Sequence, residues 1–142
     1  MAETHTSRSE EETALTARNL AERIRPGMII TLQGDLGAGK SVFARALGRA
    51  LGVEEPMPSP TFSLVHEYQG RLPLLHIDLY RLSGEDEFDL LGLEEAMEGA
   101  ATLVEWPERA PRLLEEAAVR VTITIASQAP HPHDQIRTIT IE

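Results

Sequence analysis

The sequence predicts an α/β fold in three layers, α/β/α, with helices covering a mixed central sheet around a phosphate-binding loop. Three observations carry this expectation. Gly34-Asp35-Leu36-Gly37-Ala38-Gly39-Lys40-Ser41 matches the pattern G-x-x-x-x-G-K-[ST] in full. The loop has the context it needs: an apolar run, Met28 to Gln33, before it and an amphipathic stretch after it. Further on, short apolar runs alternate with helical signals and then close in hairpins, an order that gives a mixed sheet rather than a bundle or a sandwich.

The elements follow in order. Ser9 with Glu12 three residues later reads as a capping box and opens a helix to about Arg25, with Leu20, Ala21 and Ile24 inward. Pro26-Gly27 ends it. Met28 to Gln33 is a buried strand leading into the loop. Phe43, Ala46, Leu47, Ala50 and Leu51 fall at i, i+3, i+4, i+7 and i+8, the apolar face of a helix that Gly52 caps. Residues 53–61 contain Pro56, Pro58 and Pro60, which excludes helix and central strand. Thr61 to Tyr68 and Leu72 to Leu79 form a hairpin around Gln69-Gly70. Ser83 caps an acidic helix, Glu85 to Leu91, continued by Leu93 to Met97 after Gly92. Ala101 to Glu105 is a short buried strand, and Pro107 to Leu114 a turn or two of helix. Val119, Val121, Ile123 and Ile125 alternate, as do Ile136, Thr138 and Thr140 opposite Arg137, Ile139 and Ile141, giving a final antiparallel pair around 127–134.

The loop's chemistry follows from its residue types. Its glycines let successive N–H groups turn inward as an anion nest, and the helix that follows adds unpaired N–H groups at its N-terminus. Lys40 is the only lysine in the chain; every other fixed cation is arginine. An ammonium on a flexible stem reaches between two phosphates where a planar guanidinium does not. Lys40 is therefore expected on the β- and γ-phosphates and the Ser41 hydroxyl on Mg²⁺.

Two carboxylates complete the expected site. The strand Leu74 to Ile77 ends at Asp78, and Leu103-Val104 ends at Glu105. In open α/β sheets, ligands sit at the carboxyl ends of strands. If both strands run parallel to the loop-bearing one, Asp78 and Glu105 lie beside the phosphates. Asp78 is the better metal holder on this reading; Glu105 is a second Mg²⁺ contact or orients the attacking water. Each also has an ordinary alternative, capping a turn or pairing an arginine. Thr61, on the constrained Ser59-Pro60-Thr61-Phe62 segment, is a candidate sensor of the γ-phosphate or simply the start of a strand. Trp106 is core or a cover over the site. His66 and His76 read as strand side chains, and His131 and His133 fall in a Pro-rich loop; none has zinc spacing.

Composition sets bounds. The 142 residues are expected to form one domain, 1–142, with 1–8 a frayed tail. There is no cysteine, hence no disulfide and no thiolate metal site. No apolar run approaches membrane-spanning length, and a cytoplasmic protein without membrane contact is expected. The net charge of −10 argues against a broad surface for nucleic-acid phosphates, so any RNA contact is expected through partners.

Four segments together resemble one family, the bacterial TsaE (YjeE) proteins of tRNA threonylcarbamoyladenosine synthesis. They are the phosphate loop Gly34 to Lys40, Ser59-Pro60-Thr61-Phe62-Ser63-Leu64-Val65, His76-Ile77-Asp78-Leu79-Tyr80-Arg81-Leu82 and Leu103-Val104-Glu105-Trp106-Pro107. The resemblance implies a P-loop NTPase fold that binds ATP and Mg²⁺ and hydrolyses ATP weakly alone. It also implies two protein partners, of TsaB and TsaD type, with which the family installs threonylcarbamoyl on adenosine 37 of tRNAs reading ANN codons. It places metal contacts at Ser41 and Glu105, Asp78 nearby, and Glu10 and Thr13 near the nucleotide base. The nucleotide-binding set then runs through Asp35, Leu36, Gly37, Ala38, Gly39, Lys40, Ser41 and Val42, with Trp106 beside it. The family usually carries two threonines after the lysine; Ser41-Val42 keeps the metal-binding hydroxyl and loses the second one. The alternative is a small-molecule kinase of the P-loop class. Arg71, Arg81, Arg109 and Arg112 are available to it, but no lid-like insertion is evident. A guanine-specific switch lacks its Asn-Lys-x-Asp element.

Overall fold

Seven strands form one sheet in the order β1-β7-β6-β2-β5-β4-β3 in the computed structural model, which describes residues 2–35, 37–58, 64–127 and 136–142. The strands are β1 Glu3–Ser7, β2 Ile29–Gln33, β3 Val65–Gln69, β4 Pro73–Asp78, β5 Ala101–Glu105, β6 Val119–Ser127 and β7 Ile136–Ile141. The helices are α1 Glu10–Ala21, α2 Lys40–Ala50, α3 Glu85–Leu90, α4 Glu94–Glu98 and α5 Pro111–Glu116, with a 3₁₀ turn at Pro107–Arg109. At the centre, β2 runs parallel to both β5 and β6, and β4 runs parallel to β5. β3 pairs antiparallel with β4, β7 with β6, and β1 with β7.

The sheet is covered on both faces, so its central strands read as unbroken apolar runs instead of alternating ones. One core joins Ala17 and Leu20 of α1 and Phe43 and Leu47 of α2 to Ile30 and Leu32 of β2 and Leu103 of β5. The other joins Phe88 of α3 and Leu113 of α5 to Ile77 of β4 and Val104 of β5. That is the three-layer α/β/α arrangement. No helix among the described residues is long and apolar enough to cross a membrane.

Several boundaries differ from the sequence expectation. The first eight residues do not fray throughout: Glu3–Ser7 pairs along β7, from Glu3 with Ile141 to Ser7 with Arg137. Its polar residues hid this strand, which satisfies its backbone on an edge and buries only Ser7 in full. The Ser9 hydroxyl accepts from Glu12 N at 3.1 Å as a cap should, but the Glu12 carboxylate reaches back to Arg8 N at 3.4 Å instead of Ser9 N. The helix closes at Ala21 rather than Arg25, and the chain turns through Ile24 N to Ala21 O at 3.2 Å. Pro26 disfavours a helical Arg25 and so unwinds the last turn. Ser83 does not cap α3; Gly84 occupies that position, and the Ser83 hydroxyl bonds Glu87.

The end of α2 follows the sequence closely. Gly52 has φ +92°, donates to Arg49 O at 3.0 Å, and Val53 N reaches Gly48 O at 3.0 Å. This is a Schellman closure. A Cβ at Gly52 would lie 2.8 Å from Arg71 N, so the position needs glycine for space as well as for φ.

Candidate functional site

The phosphate loop lies between the carboxyl end of β2 and the start of α2. Gly37 and Gly39 both have positive φ, +82° and +105°, the conformation that turns N–H groups inward and that glycine adopts without strain. Gly39 is the N-cap of α2 and offers no side-chain cap, so the first-turn N–H groups of an eleven-residue helix are left to a ligand. Asp35 is exposed, with its carbonyl accepting from Ala38 N at 3.0 Å. Ala38 is buried, and Leu36 lies outside the described residues.

Lys40 is only 7% exposed, and among the described residues its Nζ has no hydrogen-bond partner. The ammonium sits 3.9 Å from the centre of the Trp106 ring. Burial pushes its pKa below the usual lysine range, and the negative charges of Glu105 and then Asp78 oppose that shift. A buried, unpartnered ammonium is costly, which marks it as a group held ready for an anion.

The parallel register of β4 and β5 sets Asp78 directly opposite Glu105, while Leu32 of β2 also faces Glu105. Both carboxylates therefore stand at the edge where the loop begins. Leu79 N donates to Glu105 O at 3.0 Å and Asp78 N to Leu64 O at 2.9 Å, locking the two strand ends. The Asp78 carboxylate accepts from Tyr80 N at 2.9 Å. Its pKa is raised, by burial first, with that N–H and Lys40 opposing and Glu105 adding to it. Trp106 has φ 56° and ψ 48°, left-handed for a bulky residue, a strain that turns the indole back over the site. Tyr80 packs on it at 4.9 Å and 54°.

These groups line one cleft of about 400 Å³. The loop contributes Gly37, Gly39, Lys40, Ser41 and Val42; the strand ends contribute Asp78, Tyr80, Glu105 and Trp106. Glu10 and Thr13 of α1 and Arg137 of β7 complete the lining. Asp35 and Ala38 do not line it, and Thr61 lies outside the described residues. A bond of 2.6 Å between the hydroxyls of Ser7 and Thr13 ties β1 to this lining through α1.

Three residues of the site were missed from sequence. Arg137 donates from Nη2 to Gly37 O at 3.2 Å, and its side chain lies against Gly39. The signal was present: the alternation puts Arg137 on the same face as the buried Ile139 and Ile141, an odd place for an arginine. Tyr80 follows Asp78 by two. His76 is a strand side chain as expected, but it is buried and 2.6 Å from Glu105.

Residues 7–135 match the protein family described as threonylcarbamoyl adenosine biosynthesis protein TsaE. The chain belongs to the TsaE family. Among its relatives, the TsaE protein of Treponema pallidum is 37% identical over 120 residues, covering 84% of this chain and 89% of that protein. The Bacillus subtilis TsaE protein is 41% identical over 115 residues, 80% of this chain and 72% of its own length. The Synechocystis relative is 47% identical over 102 residues, 68% and 64% respectively. The crystal structure of Bacillus subtilis YdiB superposes with a TM-score of 0.77 at 32% identity, covering 99% of this chain and 84% of that one. The fold of this TsaE family chain is a mixed-sheet α/β/α fold, consistent with the P-loop NTPase class expected from sequence.

Proposed function

We propose that this chain is the ATP-binding and ATP-hydrolysing subunit in the synthesis of threonylcarbamoyladenosine on tRNA. Its relatives carry the name tRNA threonylcarbamoyladenosine biosynthesis protein. One observation carries the ATPase part: the sole lysine is buried in a glycine loop and has no hydrogen-bond partner among the described residues, in a cleft shared with two strand-end carboxylates.

The residues fit a nucleotide with Mg²⁺. Lys40 and the N–H groups of the loop hold phosphate, and Arg137 adds a second cation at Gly37. Glu10 and Thr13 stand where a base or ribose would extend along the cleft. Ser41, exposed at the start of α2, with Glu105 and Asp78, would hold the metal. Among the described residues no three acidic or histidine side chains make a metal cage alone. Mg²⁺ suits such a site, since it is commonly held by one or two carboxylates together with phosphate oxygens and water. When bound, the ion would neutralise charge on the phosphates. The protein's part is to orient: Lys40 fixes the phosphate end, Trp106 and Tyr80 exclude water from one side, and Asp78 or Glu105 aligns the attacking water.

In this reading the chain works with two partners of TsaB and TsaD type, which make the tRNA contacts. The net charge of −10 supports that division, because an acidic surface repels RNA. The small-molecule kinase reading draws no support from the relatives. The test is ATP turnover by the chain alone, with both partners, and with partners and tRNA. Slow turnover alone that rises with the partners is expected; no turnover in any mixture would reduce the chain to a nucleotide-binding assembly module.

A further inference from the structure

His76 and Glu105 meet behind the carboxylate edge, both almost fully buried at 3% and 6% exposure. His76 Nε2 lies 2.6 Å from Glu105 Oε2. A carboxylate only accepts, so Nε2 carries the hydrogen. The register explains the meeting. His76 and Asp78 project from the same face of β4, two residues apart, and Asp78 pairs with Glu105, so His76 reaches Glu105 on the diagonal. Next to the pair, Ser41, His76, Glu105 and Met57 bound a cavity of about 10 Å³, the size of one water.

Glu105 needs such an anchor. It exerts the largest charge effect on Lys40, yet the Lys40 ammonium has no hydrogen-bond partner among the described residues. An unanchored glutamate beside a buried ammonium would swing onto it. That would consume the lysine meant for phosphate and withdraw the carboxylate from Ser41.

We propose that His76 is a positioning residue: the bond from its Nε2 to Oε2 holds Glu105 off Lys40 and presents the carboxylate to Mg²⁺ beside Ser41. The inference rests on Glu105 being a metal contact. Hydrogen-bonded supports of metal ligands typically matter by 10- to 100-fold in affinity.

The test uses the full chain and reads Mg²⁺ dependence rather than turnover. ADP affinity is measured calorimetrically over a series of Mg²⁺ concentrations, and the concentration giving half the full effect is compared. His76→Leu removes the donor, His76→Asn displaces it to the Nδ1 position, and His76→Gln restores it near Nε2. The Leu and Asn variants are expected to need about 10-fold or more Mg²⁺, and the Gln variant to return most of the way. If His76→Leu does not fold, the Asn and Gln pair carries the comparison. Glu105→Ala is measured alongside. Should it raise the Mg²⁺ requirement while His76→Leu and His76→Asn match the parent, the positioning role is wrong. Equal loss in the Asn and Gln variants would also overturn it, since only the donor's place separates them. Should Glu105→Ala leave Mg²⁺ dependence unchanged, the metal reading itself falls and this inference with it.

Discussion

Replacing Lys40 with methionine is expected to push folding stability and nucleotide binding in opposite directions. Methionine keeps most of the buried stem and removes the ammonium, which is 7% exposed and has no hydrogen-bond partner among the described residues. Leaving a buried polar group unsatisfied costs about 1–3 kcal/mol, and more when it is charged. The Trp106 ring at 3.9 Å returns about 0.5–2 kcal/mol. The difference leaves Lys40→Met more stable by about 1 kcal/mol without ligand, a rise of roughly 3–4 °C in Tm for a chain of this size. With nucleotide the sign reverses: a charge-assisted contact to phosphate is lost, about 1.5–3 kcal/mol or roughly 10- to 150-fold in Kd. A base whose pKa falls on folding carries its full penalty below the folded value and sheds it as pH rises toward 10.5. The stability gap between variant and parent should therefore narrow in alkaline buffer. Thermal melts from neutral to alkaline pH and ADP titrations monitored by Trp106 emission measure both effects. A ligand-free variant that melts below the parent would refute the penalty, and unchanged ADP affinity would refute the role of the ammonium.

Asp78→Asn should raise Tm at neutral pH, because burial raises the Asp78 pKa and the charged form costs stability above it; Asn retains an acceptor for Tyr80 N. An acid with a raised pKa contributes stability below its unfolded value of 3.8 and loses it as pH rises through the folded value, so the gain should vanish in acid melts. The same variant should lower partner-stimulated hydrolysis by about 10²-fold or more, read in a phosphate-release assay. Arg137→Ala should weaken ADP binding by about 10-fold or more while the melting temperature changes little, since its bond to Gly37 O is exposed. Deleting residues 2–7 should lower both Tm and nucleotide affinity in the same titrations, because β1 pairs the strand that carries Arg137 and bonds Thr13 through Ser7.

The central half of the fold was legible because its signals are local. The loop announces itself, the α2 face has helical spacing, and β2 and β5 are continuous apolar runs because both of their faces are covered. The edges were harder. β1 is Glu-Thr-His-Thr-Ser, a strand made by a partner that lies at the other end of the sequence, and nothing local distinguishes it from a tail. The same limit applied to the site. Lys40, Ser41, Asp78 and Glu105 could be named because each sits at the end of an apolar strand or inside a motif. His76 acts through a contact across the sheet that periodicity does not report, whereas Arg137 was visible only as an arginine on the buried face of its strand, without its place in the site. Thr61 and Leu36 fall outside the described residues, so their expected roles stand as proposals.

The pairing of residue 3 with residue 141 and of residue 7 with residue 137 also has a consequence in time. α2, residues 40–50, emerges from the ribosome early, but it shares its core with Leu103 and Val121, and the strand before the loop pairs with β5 and β6, which are made later. β1 emerges before them and has no neighbour until β7 has been made. The chain is synthesised at about 5–20 residues per second, its N-terminal part exposed first, and pairings between distant residues are slow to form. A nascent chain therefore carries the glycine loop before β5 and Trp106 are made to bury Lys40, and Arg137 and the Ser7 bond to Thr13 come into place only when β1 and β7 pair. The lining of the cleft is complete only when both ends of the sheet are joined, so a chain that lacks β7 is expected to bind nucleotide more weakly than the full chain.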